Sequence, residues 1–260
     1  MHFIDTHCHL NFNAFRGGFL DVARRAREVG VEKIIIPGSN VENSLSAVEM
    51  VKKLNKEFGK SFAFAGIGIH PVHVDELEKF SQIEKLAGEV IAIGECGLDF
   101  FHDKEKKTLV VQKELFVKHL NLAVKNNLPL ICHNRDADKE MSEILEICAK
   151  LPKIVFHCFS SNWEFAEYIL GKGFYLSFTG NITYGNKTLK KVIERTPPER
   201  IMIETDAPYL VPEPLRSQGV KPNEPAYVVE VAKKIAEIKD LSLEKVASAT
   251  TKNAKDFFKI

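Results

Sequence analysis

Short apolar runs alternate with longer stretches of helical period along almost the whole chain. Phe3 to Leu10 opens as a buried strand that surfaces at its C-terminal end, and Gly17 to Val29 repeats its apolar residues at three and four, which predicts a helix. Lys33 to Gly38 is a β-branched run that ends in turn residues, and Asn43 to Phe58 is again helical. Phe62 to Pro71 and Val90 to Glu95 read as the third and fourth strands, with a helix through Leu77 to Leu86 between them. The longest helix is expected from about Glu105 to Asn126, followed by a strand at Leu128 to His133 and a helix from Asp136 to Lys150. Ile154 to His157, Phe174 to Gly180 and Arg200 to Asp206 complete the strands, with helices at Trp163 to Leu170 and Lys187 to Arg195 between them. The tail from Glu224 to Ile260 holds two more helices, split near Asp240-Leu241-Ser242.

Strands that are nearly all apolar and alternate with helices belong to a parallel sheet covered on both faces. Eight such units in a chain of 260 residues predict a (β/α)8 TIM barrel of the α/β class, one domain over residues 1–260, with extra C-terminal helices. An open doubly wound sheet usually has fewer strands. Its first strand–helix turn often carries a glycine-rich phosphate fingerprint, which is absent here.

Composition adds limits. Hydrophobic residues make up 45% and charged residues 27%, ordinary for a globular protein, and no apolar run has transmembrane length. Five cysteines, none in a Cys-x-x-Cys pair, argue against a disulfide framework or a zinc ribbon and predict a reduced, cytoplasmic protein. A formal net charge of +1 is too small for tight binding over many phosphates, so any nucleic-acid contact is expected to be local and transient. Neither a membrane association nor an obligate protein partner is expected.

The chemistry gathers at strand ends, where barrels of this kind build their active sites. His7 and His9 end strand one, His70 strand three, Glu95 strand four, His133 strand five, His157 strand six and Asp206 strand eight. Alternation puts His7 and His9 on one side of their strand, about 6–7 Å apart by strand rise, with Cys8 on the other. By the same rule Cys96, Cys132 and Cys158 turn away from the site as small buried residues. A nitrogen and carboxylate donor set without thiolate favours Zn, Mn, Fe or Ni over Ca and a catalytic site over a structural one. Six donors exceed one tetrahedral ion but suit two that share a carboxylate. His7, His9 and Asp206 are assigned to the first ion, His133 and His157 to the second, and Glu95 to both. Asp206 is also the candidate general base.

The ordered motifs Asp5-Thr6-His7-Cys8-His9, Gly68-Ile69-His70-Pro71, Gly94-Glu95-Cys96-Gly97-Leu98-Asp99, His133-Asn134-Arg135-Asp136-Ala137, His157-Cys158-Phe159-Ser160 and Glu204-Thr205-Asp206-Ala207-Pro208-Tyr209-Leu210 resemble the TatD-like metal-dependent hydrolases, as does Asn223-Glu224-Pro225-Ala226-Tyr227. The resemblance runs from residue 5 to 227. It implies an amidohydrolase-type barrel with two divalent ions (Zn, Mn, Mg, Fe or Ni) acting as a deoxyribonuclease of 3′–5′ exonuclease type on DNA. Its implied ligands fall on His7, His9, Glu95, His133, His157 and Asp206, with His70 orienting or contacting substrate. Ser161, where many relatives have Gly, and a slightly long segment from Arg216 to Asn223 depart from the family pattern. Arg135 and Arg216 are the phosphate candidates, because a guanidinium suits bidentate phosphate contact. Lys104, Lys106 and Lys107 form a basic run that reads as a solvated helix start or a guide for a strand. The alternative activity is a small-molecule amidohydrolase or esterase using the same metals. Many such barrels bridge their metals with a carboxylated lysine on strand four, where this chain has Glu95. A barrel that binds a partner without turnover is disfavoured by the intact donor set.

Overall fold

The pattern of the chain resolves, in a computed structural model describing residues 1–260, into one parallel eight-stranded sheet in sequential order, β1 through β8. The strands are β1 (Phe3–Asp5), β2 (Val31–Pro37), β3 (Ala63–Ile67), β4 (Ala92–Asp99), β5 (Leu130–Arg135), β6 (Ile154–Phe156), β7 (Tyr175–Phe178) and β8 (Ile201–Ile203). The helices are α1 (Phe19–Glu28), α2 (Val41–Phe58), α3 (Phe80–Leu86), α4 (Leu109–Asn126), α5 (Asp138–Ile147), α6 (Trp163–Gly171), α7 (Lys187–Arg195), α8 (Val228–Lys239) and α9 (Leu243–Phe258). The seam between β8 and β1 is bridged by Thr6 N–H to Ile203 O (3.2 Å), Asp206 N–H to His7 O (2.8 Å) and His9 N–H to Ala207 O (2.7 Å). This is the expected TIM barrel. No helix is long and apolar enough to cross a membrane.

Two cores hold it. The larger lies between the strands and the surrounding helices, and the smaller fills the barrel's lower interior with Ile4, Ile35, Ala92, Ile131, Val155 and Met202. Phe257 and Phe258 of α9 pack into that interior, so the last helix plugs the end of the barrel opposite the strand-end histidines. Burying each such ring removes it from water at about 25 cal/mol per Å², a few kcal/mol per side chain.

Several boundaries differ from the sequence reading, and each has a local cause. The longest helix starts at Leu109 rather than Glu105, because the Asp103 carboxylate accepts the amides of Lys107 (2.9 Å) and Thr108 (2.7 Å) and holds a turn there. Strand eight stops at Ile203, since the chain turns at Asp206 (φ 54°) and the Tyr209 amide bonds back to the Asp206 carbonyl. His70 lies beyond β3 and caps a 3-10 segment, Pro71–Lys79, that stands before the expected helix.

α4 also braces the loop after β3. His119 is fully buried, donates from Nδ1 to Leu115 O (2.8 Å) and accepts the Ile69 amide on Nε2 (3.0 Å). Burial pushes its pKa from 6.5 down to about 4. Between those values the unfolded chain carries a proton that the native protein lacks. Stability should therefore fall as pH drops through that window, by about 3 kcal/mol. In His119→Gln, whose amide can keep both bonds, urea titrations at pH 7.5 and 5 should show a flatter pH dependence than wild type. Parallel slopes would refute the assignment.

Candidate metal centre

The barrel mouth is shaped first by β4. Between Ile93 and Cys96 its register against β5 slips by one residue, so the chain bulges at Gly94-Glu95 and aims Glu95 across the opening. Only glycine fits beside the bulge. A Cβ at Gly97 (φ 151°) would lie 1.8 Å from His133 O, and one at Gly94 (φ 136°) 2.4 Å from Ile131 O.

The two Glu95 oxygens face different neighbours. Oε2 lies 3.3 Å from His7 Nε2 and 3.6 Å from His9 Nε2, and Asp206 Oδ1 lies 3.7 and 3.5 Å from the same two nitrogens. Oε1 lies 3.0 Å from His133 Nδ1, 2.8 Å from His157 Nε2 and 3.3 Å from His70 Nε2. The His7 and His9 Nε2 atoms are 3.1 Å apart, far closer than the strand rise suggests, because both residues lie past the end of β1 and their rings turn edge to face. Donor atoms bound 2.0–2.2 Å from one ion stand about 3–3.6 Å apart, the spacing found in both groups.

The imidazole tautomers decide between a proton network and cation sites. His9 Nδ1 sits 3.3 Å from Pro37 O, which can only accept, so Nδ1 carries the hydrogen and Nε2 presents a lone pair inward. Asp99 Oδ2, 3.1 Å from His133 Nε2, fixes the opposite tautomer there, with Nδ1 inward. Glu204 Oε1 accepts the Cys158 amide (2.6 Å) and lies 3.4 Å from His157 Nδ1 without hydrogen-bond geometry, while His157 Nε2 faces inward toward Glu95. Inward lone pairs crowd two buried carboxylates, and that assembly needs positive charge among its members. The donor set thus fits divalent cations. His70 differs, because its Nδ1 accepts the Val72 amide (3.2 Å), so Nε2 bears the hydrogen and donates toward Glu95.

Electrostatics agree. Burial alone would raise the Glu95 carboxyl, but His157, His70 and His133 hold it well below its ordinary value. Burial is likewise outweighed at Asp206, whose carboxyl the adjacent His9 and His7 rings hold below its ordinary value. Glu95 in turn raises His157 against the desolvation that would lower it, and Asp99 with Glu95 does the same for His133. A cation entering the centre would therefore displace protons.

The carboxylates that support the rings were not singled out in the sequence. Asp5, fully buried, accepts the Thr205 amide (3.0 Å), the Thr205 hydroxyl (2.6 Å) and the His7 amide (3.2 Å), tying β1 to the chain that carries Asp206. Burial pushes its pKa up to about 8. Asp99 and Glu204 were readable only as acidic residues spaced by four and by two from Glu95 and Asp206. The cysteines stand apart from the donor groups: Cys8, Cys96 and Cys132 belong to the outer core, and the Cys158 thiol faces Thr179 Oγ1 at 3.6 Å.

The phosphate candidates stay outside the cluster. The Arg135 guanidinium lies 3.7 Å from the centre of the Phe101 ring, and Arg216 lies 4.3 Å from the Tyr184 ring and 3.7 Å from Glu213. Lys106 is paired with Glu140 and Lys107 with Glu105, so of the basic run only Lys104, 5.5 Å from Phe101, has no carboxylate within ion-pair reach.

A TIM barrel carrying clustered imidazole and carboxylate donors at the C-terminal ends of its strands has the architecture of a metal-dependent hydrolase. The model of the family described as TatD related DNase matches residues 4–259. The chain belongs to that family. It is 40% identical over 262 residues to the metal-dependent hydrolase YabD of Bacillus subtilis (strain 168), covering 98% of each chain. It is 33% identical over 246 residues to the 3′-5′ ssDNA/RNA exonuclease TatD of Shigella flexneri serotype 5b, covering 92% of each. The crystal structure of YJJV, a TatD homolog from Escherichia coli K12, superposes with a TM-score of 0.89 at 28% identity, covering 99% of this chain and 98% of that one.

Proposed function

We propose that this protein hydrolyses phosphodiester bonds at the 3′ ends of single-stranded nucleic acid, DNA foremost, with two divalent ions. The observation that carries the reading is the division of Glu95, one oxygen toward His7 and His9 and the other toward His133 and His157. Asp206 would complete the first group. Ions held there would lower the pKa of a bound water and neutralise charge on the attacked phosphate.

The chain's own groups do the rest. Pro37 O and Asp99 keep two of the rings in the tautomer that points a lone pair inward. Asp206 uses Oδ1 toward His7 and His9, and its second oxygen receives the proton of the attacking water. His70 keeps its Nε2 hydrogen on Glu95 and orients that carboxylate rather than ligating. Arg135 and Arg216 receive phosphates on either side of the mouth. The named activity of the Shigella relative supports the choice of substrate, and a net charge of +1 suits brief contact with a strand end.

Metal analysis coupled to a substrate screen tests this. Protein stripped with EDTA should be inert. Reloading with Mn, Mg or Zn should restore release of 5′-mononucleotides from the 3′ end of a single strand. Reloaded protein that is inert on DNA and RNA but cleaves small amides or carboxylic esters would overturn the reading in favour of the small-molecule alternative.

A further inference from the structure

A row of aromatic rings leads away from the metal centre. Phe12 stacks on His9 with ring centres 4.3 Å apart and planes within 12°, and Tyr209 meets Phe12 edge-on at 6.4 Å. Tyr209 is 55% exposed, among the most exposed large hydrophobic side chains of the protein. Beyond it opens a groove of about 610 Å³ lined by Tyr184, Tyr209, Val211, Arg216, Lys221 and Pro222.

The backbone under this ring is fixed. Asn223, fully buried, donates from one side-chain amide to Thr205 O (2.9 Å) and Tyr209 O (2.5 Å). The Asn223 amide bonds Pro208 O at 3.1 Å, and the next residue, Glu224, takes a bidentate pair from Arg25 at 2.8 and 2.7 Å. An exposed phenol on so anchored a chain is presented rather than left over. Tyr184 is set in the same way, its hydroxyl donating to Val211 O (2.8 Å) while Arg216 lies over its ring.

We infer that Phe12, Tyr209 and the groove beyond them form the subsite for the nucleotides next to the cleaved one. One base would stack on Tyr209, and Arg216 and Lys221 would take the following phosphates. This rests on the proposed nuclease reading and deepens it by naming the surface that holds the strand. Flat apolar faces alternating with cations are what a single strand of any sequence requires, and a duplex would hide the base faces. Glu213 beside Arg216 lowers the net charge of the groove, in keeping with weak, sequence-tolerant binding.

The test compares wild type, Tyr209→Ala and Tyr209→Phe, all metal-loaded, on a single-stranded hexanucleotide and on bis(2,2,2-trifluoroethyl) phosphate followed by fluorine NMR, a diester with no ring to stack. In Tyr209→Ala the ratio of kcat/KM for the hexanucleotide to that for the small diester should fall about tenfold, through KM, the size of one lost stack. Tyr209→Phe, which keeps the ring, should restore it. Anisotropy with a phosphorothioate hexanucleotide should show the same loss and rescue in Kd. Wild-type cleavage of the strand with an unchanged ratio in Tyr209→Ala would overturn this inference and leave the nuclease reading standing. A wild-type protein that turns over the small diester but neither cuts nor binds the strand would overturn both.

Discussion

Glu95→Ala should lose both metal occupancy and turnover, with kcat/KM reduced on the order of 10⁴-fold, about 5.5 kcal/mol of transition-state stabilisation. The expectation follows from where the two oxygens point. Oε2 completes the group of His7 and His9, and Oε1 that of His133 and His157, so one truncation removes a donor from each. It also removes the carboxylate nearest His133 and His157 inside the centre, leaving Asp99 and Glu204 behind them. Inductively coupled plasma mass spectrometry on dialysed protein should find well under one equivalent of metal, against two for wild type. Glu95 belongs to neither apolar core, so the fold should survive its truncation, which circular dichroism and thermal melting check. Two tightly retained ions in Glu95→Ala would rule out the shared carboxylate, whatever the activity.

The barrel itself was legible because its signal is local. Near-continuous apolar strands and helices repeating at three and four can be read one element at a time, and α7 matches its expected bounds of Lys187 to Arg195. The gathering of donors was legible for a topological reason: a parallel barrel brings the ends of all its strands to one rim, so His7, Glu95, His133, His157 and Asp206 could be brought together without a coordinate. What stayed hidden depends on partners distant in sequence or on a single irregular residue. The hydrogen bond that sets the His9 tautomer goes to Pro37 O, a backbone acceptor on the neighbouring strand. The slip at Gly94 that aims Glu95 is a register fault between β4 and β5, which strand-length patterns do not report. Phe12 and Tyr209 meet at opposite ends of the chain's order, and no periodicity joins them.

Local chemistry also misleads where a side chain competes with the backbone. The residues after Lys104 have helical composition, but Asp103 holds the amides of Lys107 and Thr108, so the helix waits until Leu109. The consequence is functional as well as structural. The basic run lies in a turn whose lysines are partly neutralised by Glu140 and Glu105, which leaves the Arg135–Phe101 stack as the main cationic feature of that side of the mouth.

Asp206→Asn separates holding an ion from accepting a proton. The amide has nearly the shape of the carboxylate and keeps an oxygen to face His7 and His9, but it carries no charge and cannot take up a proton near neutral pH. Asp206 is normally kept ionised, since the His9 and His7 rings beside it outweigh burial. If it serves only to hold the first ion, raising the metal concentration should bring kcat back to near the wild-type value. If it also receives the proton of the attacking water, kcat should stay about 10²–10⁴-fold down at saturating metal, with KM for the strand changed by only a few-fold. We expect the second outcome, because with Oδ1 turned to His7 and His9 the second oxygen of the same carboxylate stands within a few ångströms of where the donor groups converge. A metal titration of kcat for Asp206→Asn that climbs to within tenfold of wild type would remove the general-base role and leave this carboxylate a ligand alone.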